Sequence, residues 1–215
     1  AVQVPFPPGR VPLMCRWAAY TGAPIFLEEI VSRPGHSLIH QSHCATQCHT
    51  AINADGFGIA WYGARPEPGL FRDVLPAWSD PNLKSLTAQV QSHLFLAHVR
   101  ASTGTATSRN NCHPFTHGRW SFMHNGQVGG YDAFRRDADM MIPEALYPHR
   151  KGATDSEALF LVALAEVGCR PARRPGTGGG AVHPAGAGEG AGSAFADDGG
   201  PVGRAKALCR ALFHR

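Results

Sequence analysis

A chain of 215 residues is long enough for one sizeable domain with a tail, and its 43% apolar content suits a globular core, while 17% charged residues fall short of the usual quarter or so. The net charge of +4 lies wholly in residues 169–215, because residues 1–168 hold 13 basic and 13 acidic side chains; a body without a basic stripe argues against nucleic acid as a partner. No apolar run approaches the roughly 18 residues of a membrane span, the proline-rich start lacks the apolar stretch of a signal peptide, and six cysteines in that setting read as reduced thiols of a cytoplasmic protein.

Residues 1–13 include four prolines and little that could pack, so they are expected to form a disordered extension ahead of a body that begins at Met14. Arg16–Gly22 (RWAAYTG) reads as a strand entering a turn. Phe57–Tyr62 (FGIAWY) is aromatic and β-branched, and the turn-forming NADG just before it marks its start. Asn82–Gln91 follows a proline and spaces Leu83, Leu86 and Val90 three and four apart, as on one helical face. Leu94–Val99 and Trp120–Met123 read as buried strands. At Thr154 the run Thr-Asp-Ser-Glu sets a hydroxyl at a helix start and a carboxylate three residues on, which predicts a capping box. The following ALFLVALAEV is apolar nearly all round, so that helix should be sandwiched between neighbours. Strands and helices that do not alternate regularly predict an α+β fold. After Gly168 the patterning stops: Gly, Ala and Pro make up 25 of the last 47 residues, a composition that cannot bury enough surface to order itself and that also fits GC-rich DNA read in a shifted frame.

Four short motifs carry residues fit for acyl transfer: Met14-Cys15-Arg16, His98-Val99-Arg100, His124-Asn125-Gly126 and Thr154-Asp155-Ser156-Glu157. An N-terminal cysteine combines a thiol with an α-amine of pKa about 8, able to act as its base. An amide side chain with a neighbouring glycine N–H, as in Asn125 and Gly126, suits a developing oxyanion. An arginine fork such as Arg100 fits a carboxylate, and Asp155 could hold an ammonium group.

In these motifs and their order the chain resembles the class-II glutamine amidotransferase domains of the N-terminal-nucleophile hydrolases, in particular the stand-alone bacterial branch. MCRWAAYTG, NADGFGIAWY, AHVRAST, the Asn111-x-His113-Pro114-Phe115 run and F-x-HNG carry the resemblance across about residues 14–167. It implies a four-layer αββα sandwich, incomplete at the C-terminus, for the domain spanning residues 14–168. It implies Cys15 as nucleophile, Asn125 and Gly126 as oxyanion hole, Arg100 with Thr103 at the substrate α-carboxylate, and Asp155 at its α-ammonium. The residues 111 and 113–115 match a segment near the site, and Asp55 and Gly56 a structural turn. The implied substrate is glutamine or another γ-glutamyl small molecule, handled without a cofactor, either by direct hydrolysis or with ammonia passed to a separate synthase subunit. Activity then depends on exposing Cys15, ahead of which stand residues 1–14.

Two rival readings use other features. His36, His40, His43, Cys44, Cys48 and His49 crowd fourteen residues and could supply a metal site, although no second cysteine pair stands at a conventional spacing and the stretch lacks Gly-rich knuckle turns. A non-catalytic homologue acting as an interaction protein would fit the blocked Cys15 and the unusual tail.

Overall fold

The computed structural model describes residues 15–44, 55–101 and 105–168. They fall into two compact units that meet in sequence between Asn125 and Gly126. Among the described residues no helix is long and apolar enough to cross a membrane.

The first unit is built on a four-stranded antiparallel sheet in the order β1-β4-β2-β3, from β1 (Arg16–Phe26), β2 (Phe57–Tyr62), β3 (Gly69–Asp73) and β4 (Gln91–Val99). One face carries Phe57, Ile59, Phe95, Ala97 and Val99, and it buries them against Leu27 and Val31 of the α1 region (α1, Glu28–Val31), Leu38 and Ile39 of α2 (Leu38–Cys44) and Leu83 of α3 (Pro81–Gln89). Each fully buried side chain of this size contributes about 1.5–3 kcal/mol, so this cluster sets the sheet's position. α3 starts where Asp80 accepts from the N–H groups of Asn82 and Leu83 at 2.7 and 3.0 Å, with Pro81 in the first turn, where no intrahelical donor is lost.

The opposite sheet face carries His98 beside Gly58, and over it lies the segment that leads into a hairpin of β5 (Phe115–His117) and β6 (Trp120–Phe122). A Cβ on Gly58 would stand 2.2 Å from the His113 carbonyl oxygen, so the absent side chain is what lets this segment lie on the sheet. The Tyr62 hydroxyl donates to the Arg119 carbonyl at 2.9 Å and meets the Ser121 hydroxyl at 2.9 Å, fastening the hairpin to β2.

In the second unit, α4 (Tyr131–Met140) packs against α5 (Asp155–Gly168). From Ser156 to Ala163 every residue of α5 is buried, as the apolar run from Ala158 onward predicts.

Several sequence expectations need correction. The strand expected to turn near Gly22 continues to Phe26, because its pairing with β4 resumes at Ile25 and Phe26 after an irregularity following Thr21. β6 is half-exposed, with Trp120 at 39% and the Arg119 guanidinium over its ring, since a two-stranded hairpin covers only one side of its residues. The helix α3 ends at Gln89, because Val90 is extended and leads into β4. The capping box is half formed: Thr154 Oγ1 accepts from the Glu157 N–H at 3.2 Å, while the Glu157 carboxylate binds the Lys151 and Gly152 amides and Arg150. That difference has a physical cause, since Arg150 is itself buried and draws the carboxylate to it.

Candidate functional site

Antiparallel pairing sets Arg16 opposite Val99, so the start of β1 and the end of β4 bring Cys15 next to Arg100 and Ala101. The thiol extends the ladder by one rung: the Ala101 N–H donates to Sγ at 3.3 Å and the S–H donates to the Ala101 carbonyl at 3.4 Å. Burial pushes the Cys15 thiol pKa up, against the opposing pull of the Ala101 backbone and the Arg100 charge. A thiol so placed is held in position and stays protonated at neutral pH unless a base is supplied.

Arg100 is 4% exposed. Its backbone N–H donates to the Gly56 carbonyl at 2.8 Å, Nη1 donates to the Asp55 carbonyl at 3.4 Å, and Nη2 donates to the Thr105 hydroxyl at 2.5 Å and carbonyl at 3.3 Å. These acceptors are neutral oxygens, and they orient the fork. Gly56 is needed for this arrangement: its φ is +112°, and a Cβ there would come within 2.6 Å of both the Asp73 carbonyl and the Cys112 sulfur. Thr105 is not apparent from sequence, since a threonine five residues after an arginine in a loop carries no periodic or motif signal.

Beneath these residues lies a stack of rings that the motifs do not predict. His98 and His113 face each other with centroids 4.5 Å apart, and His113 meets Phe115 at 4.6 Å. All four ring nitrogens of the two histidines are buried without a hydrogen-bond partner. Burial lowers the His98 pKa to about 3, helped by the charges of Arg100 and His124. His113 is lowered well below the usual histidine value, first by burial and then by His98, His124, Arg100 and Arg72. The groups that act on this pair are thus cationic or neutral, and both imidazoles are neutral in the folded chain.

A consequence for stability follows from linkage. The unfolded chain protonates these imidazoles near pH 6.5 and the folded chain does so only at much lower pH, so the unfolded state binds more protons throughout that window. Stability is therefore expected to fall as pH drops below about 6.5, with a slope of up to ~1.4 kcal/mol per pH unit for each imidazole. Urea denaturation between pH 7 and 5 checks this, and His98→Phe should flatten the slope. A stability unchanged across that range would show that the pair is not held neutral.

Asn125 stands three residues beyond β6 in a half-buried position at the end of the first unit. In the second unit Gly126 adopts φ +153°, a backbone state that side chains rarely allow, which explains glycine here. Asp155 opens α5. Its Oδ2 accepts from the Val128 N–H at 2.6 Å, and its Oδ1 accepts from the Ser156 N–H at 2.7 Å and hydroxyl at 3.2 Å. The carboxylate therefore ties the strand of chain after Gly126 to the start of α5.

Of the six residues singled out in the sequence, Cys15 and Arg100 are brought together within the first unit; Asn125 belongs to the same unit, Gly126 and Asp155 to the second, and Thr103 lies outside the described residues. The segment expected as a metal site starts in the turn before α2 and runs along it, but Cys48 and His49 also lie outside the described residues. Among the described residues no three His, Cys, Asp or Glu side chains are placed to hold a metal ion.

Comparison with known proteins bears on this arrangement. Residues 35–181 match the family of class-II glutamine amidotransferases. The chain is 38% identical over 175 residues to the probable glutamine amidotransferase DUG3 of Saccharomyces cerevisiae, covering 76% of this chain and 49% of that protein. It is 36% identical over 118 residues to the gamma-glutamyl-hercynylcysteine sulfoxide hydrolase of Mycobacterium tuberculosis, covering 54% and 50%. Among solved structures it is similar to the glutamine aminotransferase class-II domain protein of Silicibacter pomeroyi, with 53% identity, a TM-score of 0.52, and coverage of 70% of this chain and 54% of the other. The chain thus spans about half the length of the curated relatives it matches.

Proposed function

Since this chain belongs to the class-II glutamine amidotransferases, we propose that it cleaves the γ-amide of glutamine or of a related γ-glutamyl compound through a thioester on Cys15. The observation that carries this reading is the Cys15 thiol held by the Ala101 backbone beside the buried Arg100. In the proposed reaction the α-amine of Cys15, once it is the first residue, takes the thiol proton, and sulfur attacks the γ-amide carbon. The Asn125 amide and the Gly126 N–H stabilise the tetrahedral oxyanion. The C–N bond then breaks, the amine leaves with the proton, and water attacks the γ-glutamyl thioester to release glutamate and restore the thiol.

Binding in this reading comes from the two charges of an amino acid. Arg100, oriented by Thr105 and the Asp55 carbonyl and assisted by Thr103, takes the α-carboxylate; Asp155 takes the α-ammonium. Arg100→Ala is expected to remove a charge-assisted pair worth ~1.5–3 kcal/mol, which raises KM about ten- to a hundredfold with a smaller change in kcat. Steady-state kinetics measure it, and an equal loss in kcat at unchanged KM would assign Arg100 another role.

The fold proposed for residues 14–168 is a four-layer αββα sandwich. The identified pairings are consistent with it, for both sheets are antiparallel and the four-stranded one is covered on one face by helices and on the other by the hairpin segment. Relatives named for glutamine amidotransfer and for γ-glutamyl hydrolysis support the substrate class. Ammonia could serve a separate synthase subunit or leave as the product of direct hydrolysis, and product analysis separates these.

The test is a panel of γ-glutamyl amides, glutamine among them, assayed with the full chain and with one starting at Cys15. Activity confined to the second is the expected result. Equal turnover by the full chain would mean that a group other than the Cys15 amine takes the proton.

A further inference from the structure

A buried polar network among the described residues of the second unit is centred on Arg150 and Glu157, the latter two residues beyond Asp155, and takes no part in the proposed chemistry. Arg150 and Glu157 both have side chains 6% exposed, and they pair through Nη1 and Oε2 at 2.7 Å. Arg150 also donates from Nε to Asp139 Oδ1 at 3.1 Å, from Nη2 to the Tyr131 hydroxyl at 3.0 Å, and from Nη1 to the Gly152 carbonyl at 3.1 Å. Glu157 Oε2 accepts from the Gly152 N–H at 2.7 Å and Oε1 from the Lys151 N–H at 3.1 Å.

A carboxylate near a helix start needs no such company; exposed to water it would already be favoured by the helix dipole. Burying it with a guanidinium carries a desolvation cost that net stability seldom recovers in full, so the network is better explained by the geometry it enforces. That geometry is local and specific. Glu157 closes the turn 150–154 back onto α5, Thr154 caps the Glu157 N–H, and Asp155 stands between the two anchors with its Oδ2 aimed at the Val128 amide.

We infer that Glu157, backed by Arg150, is a positioning residue that fixes the direction of the Asp155 carboxylate and thereby the chain's selectivity for ligands bearing an α-ammonium group. The inference rests on the reading of Asp155 as the group that holds the ammonium. Glu157 itself touches no substrate. Its loss frees the 150–154 turn, and Asp155 then meets an ammonium group in many orientations in place of one.

The experiment measures Kd by calorimetry on the full chain for two probes: L-glutamine, and glutaramate, which is the same molecule without its α-amine. The full chain serves because its Cys15 nitrogen lies in a peptide bond, so the glutamine probe is not consumed by the proposed turnover. The wild type should prefer glutamine. Asp155→Asn should abolish that preference. Glu157→Gln should weaken glutamine about tenfold or more, the loss of one well-directed charged contact, while changing glutaramate less than about twofold. Leu83→Ala, a core truncation in the first unit, serves as the stability control and should lower the melting temperature without altering the preference. If Asp155→Asn abolishes the preference and Glu157→Gln keeps it, Glu157 is only structural and the inference is overturned. If the wild type shows no preference, or Asp155→Asn retains it, the reading of Asp155 falls and takes the inference with it. Should Glu157→Gln fail to fold, Glu157→Asp, one methylene too short to reach Arg150 and Gly152 together, carries the same test with the same outcomes.

Discussion

Replacing Cys15 with alanine is expected to lower γ-glutamyl hydrolysis by about a thousandfold or more, with the melting temperature shifted by only a few degrees. Removing a covalent nucleophile deletes the step on which the rest of the machinery acts, and losses of that order are typical. Stability changes little because the thiol is only partly buried and its two contacts, at 3.3 and 3.4 Å to the Ala101 backbone, are weak sulfur hydrogen bonds. The loss should appear in kcat for a chain that begins at residue 15, because the substrate contacts proposed at Arg100 and Asp155 are left untouched. The same geometry predicts the thiol's reactivity. With its pKa raised by burial, Cys15 in the full chain should alkylate with iodoacetamide more slowly at pH 7 than a free cysteine, and faster as pH rises. Cys15→Ala with undiminished turnover would place the nucleophile elsewhere.

The largest expected effect on folding comes from a residue without a side chain. Gly58→Ala would set a Cβ 2.2 Å from the His113 carbonyl oxygen and 2.7 Å from Arg72 Cγ. The arginine stem can swing aside, but the carbonyl belongs to the backbone that lies over the sheet, and it cannot move without lifting the segment that stacks His113 on His98. Overpacking against backbone in a dense interior costs about 3 kcal/mol, which for a unit of this size lowers Tm by roughly 10 °C. Gly63→Ala is the natural comparison, since nothing lies within 4 Å of a Cβ there, and its effect should stay within about 0.5 kcal/mol. Thermal melts of the two variants decide the matter: equal melting temperatures would mean that the covering segment shifts freely over β2. Activity should fall with Gly58→Ala as well, because the lifted segment runs on through β5 and β6 to Asn125.

Elements with a strong local signal are legible in the amino-acid sequence. Phe57–Tyr62 is a strand within the bounds its composition predicts, and the buried α5 follows from an apolar run behind a threonine that caps it. Elements with a weak local signal are not. β3 (GLFRD) has a glycine and two charges in five residues and owes its extended form to pairing with β2. α4 has a good apolar face, yet it is preceded by Gly130 in a left-handed conformation with no capping side chain and is kinked at Phe134, so neither cap nor period announces it. α2 coincides with the start of the His- and Cys-rich stretch, whose composition points to metal chemistry more strongly than its spacing points to a helix.

What the sequence determined by itself was the family, through a thiol, an arginine, an Asn-Gly pair and an aspartate behind a capping threonine in a particular order, since such motifs and local capping depend on residue type and near neighbours. Tertiary structure alone decided how those groups are held. The Cys15 sulfur meets Ala101 across 86 positions, the Arg100 fork is oriented by Thr105 and by a carbonyl that only a glycine could bring close, and Glu157 turns from its cap to a buried arginine. These contacts join residues that share no sequence period, and their energies exist only once the intervening chain has been folded and its water removed.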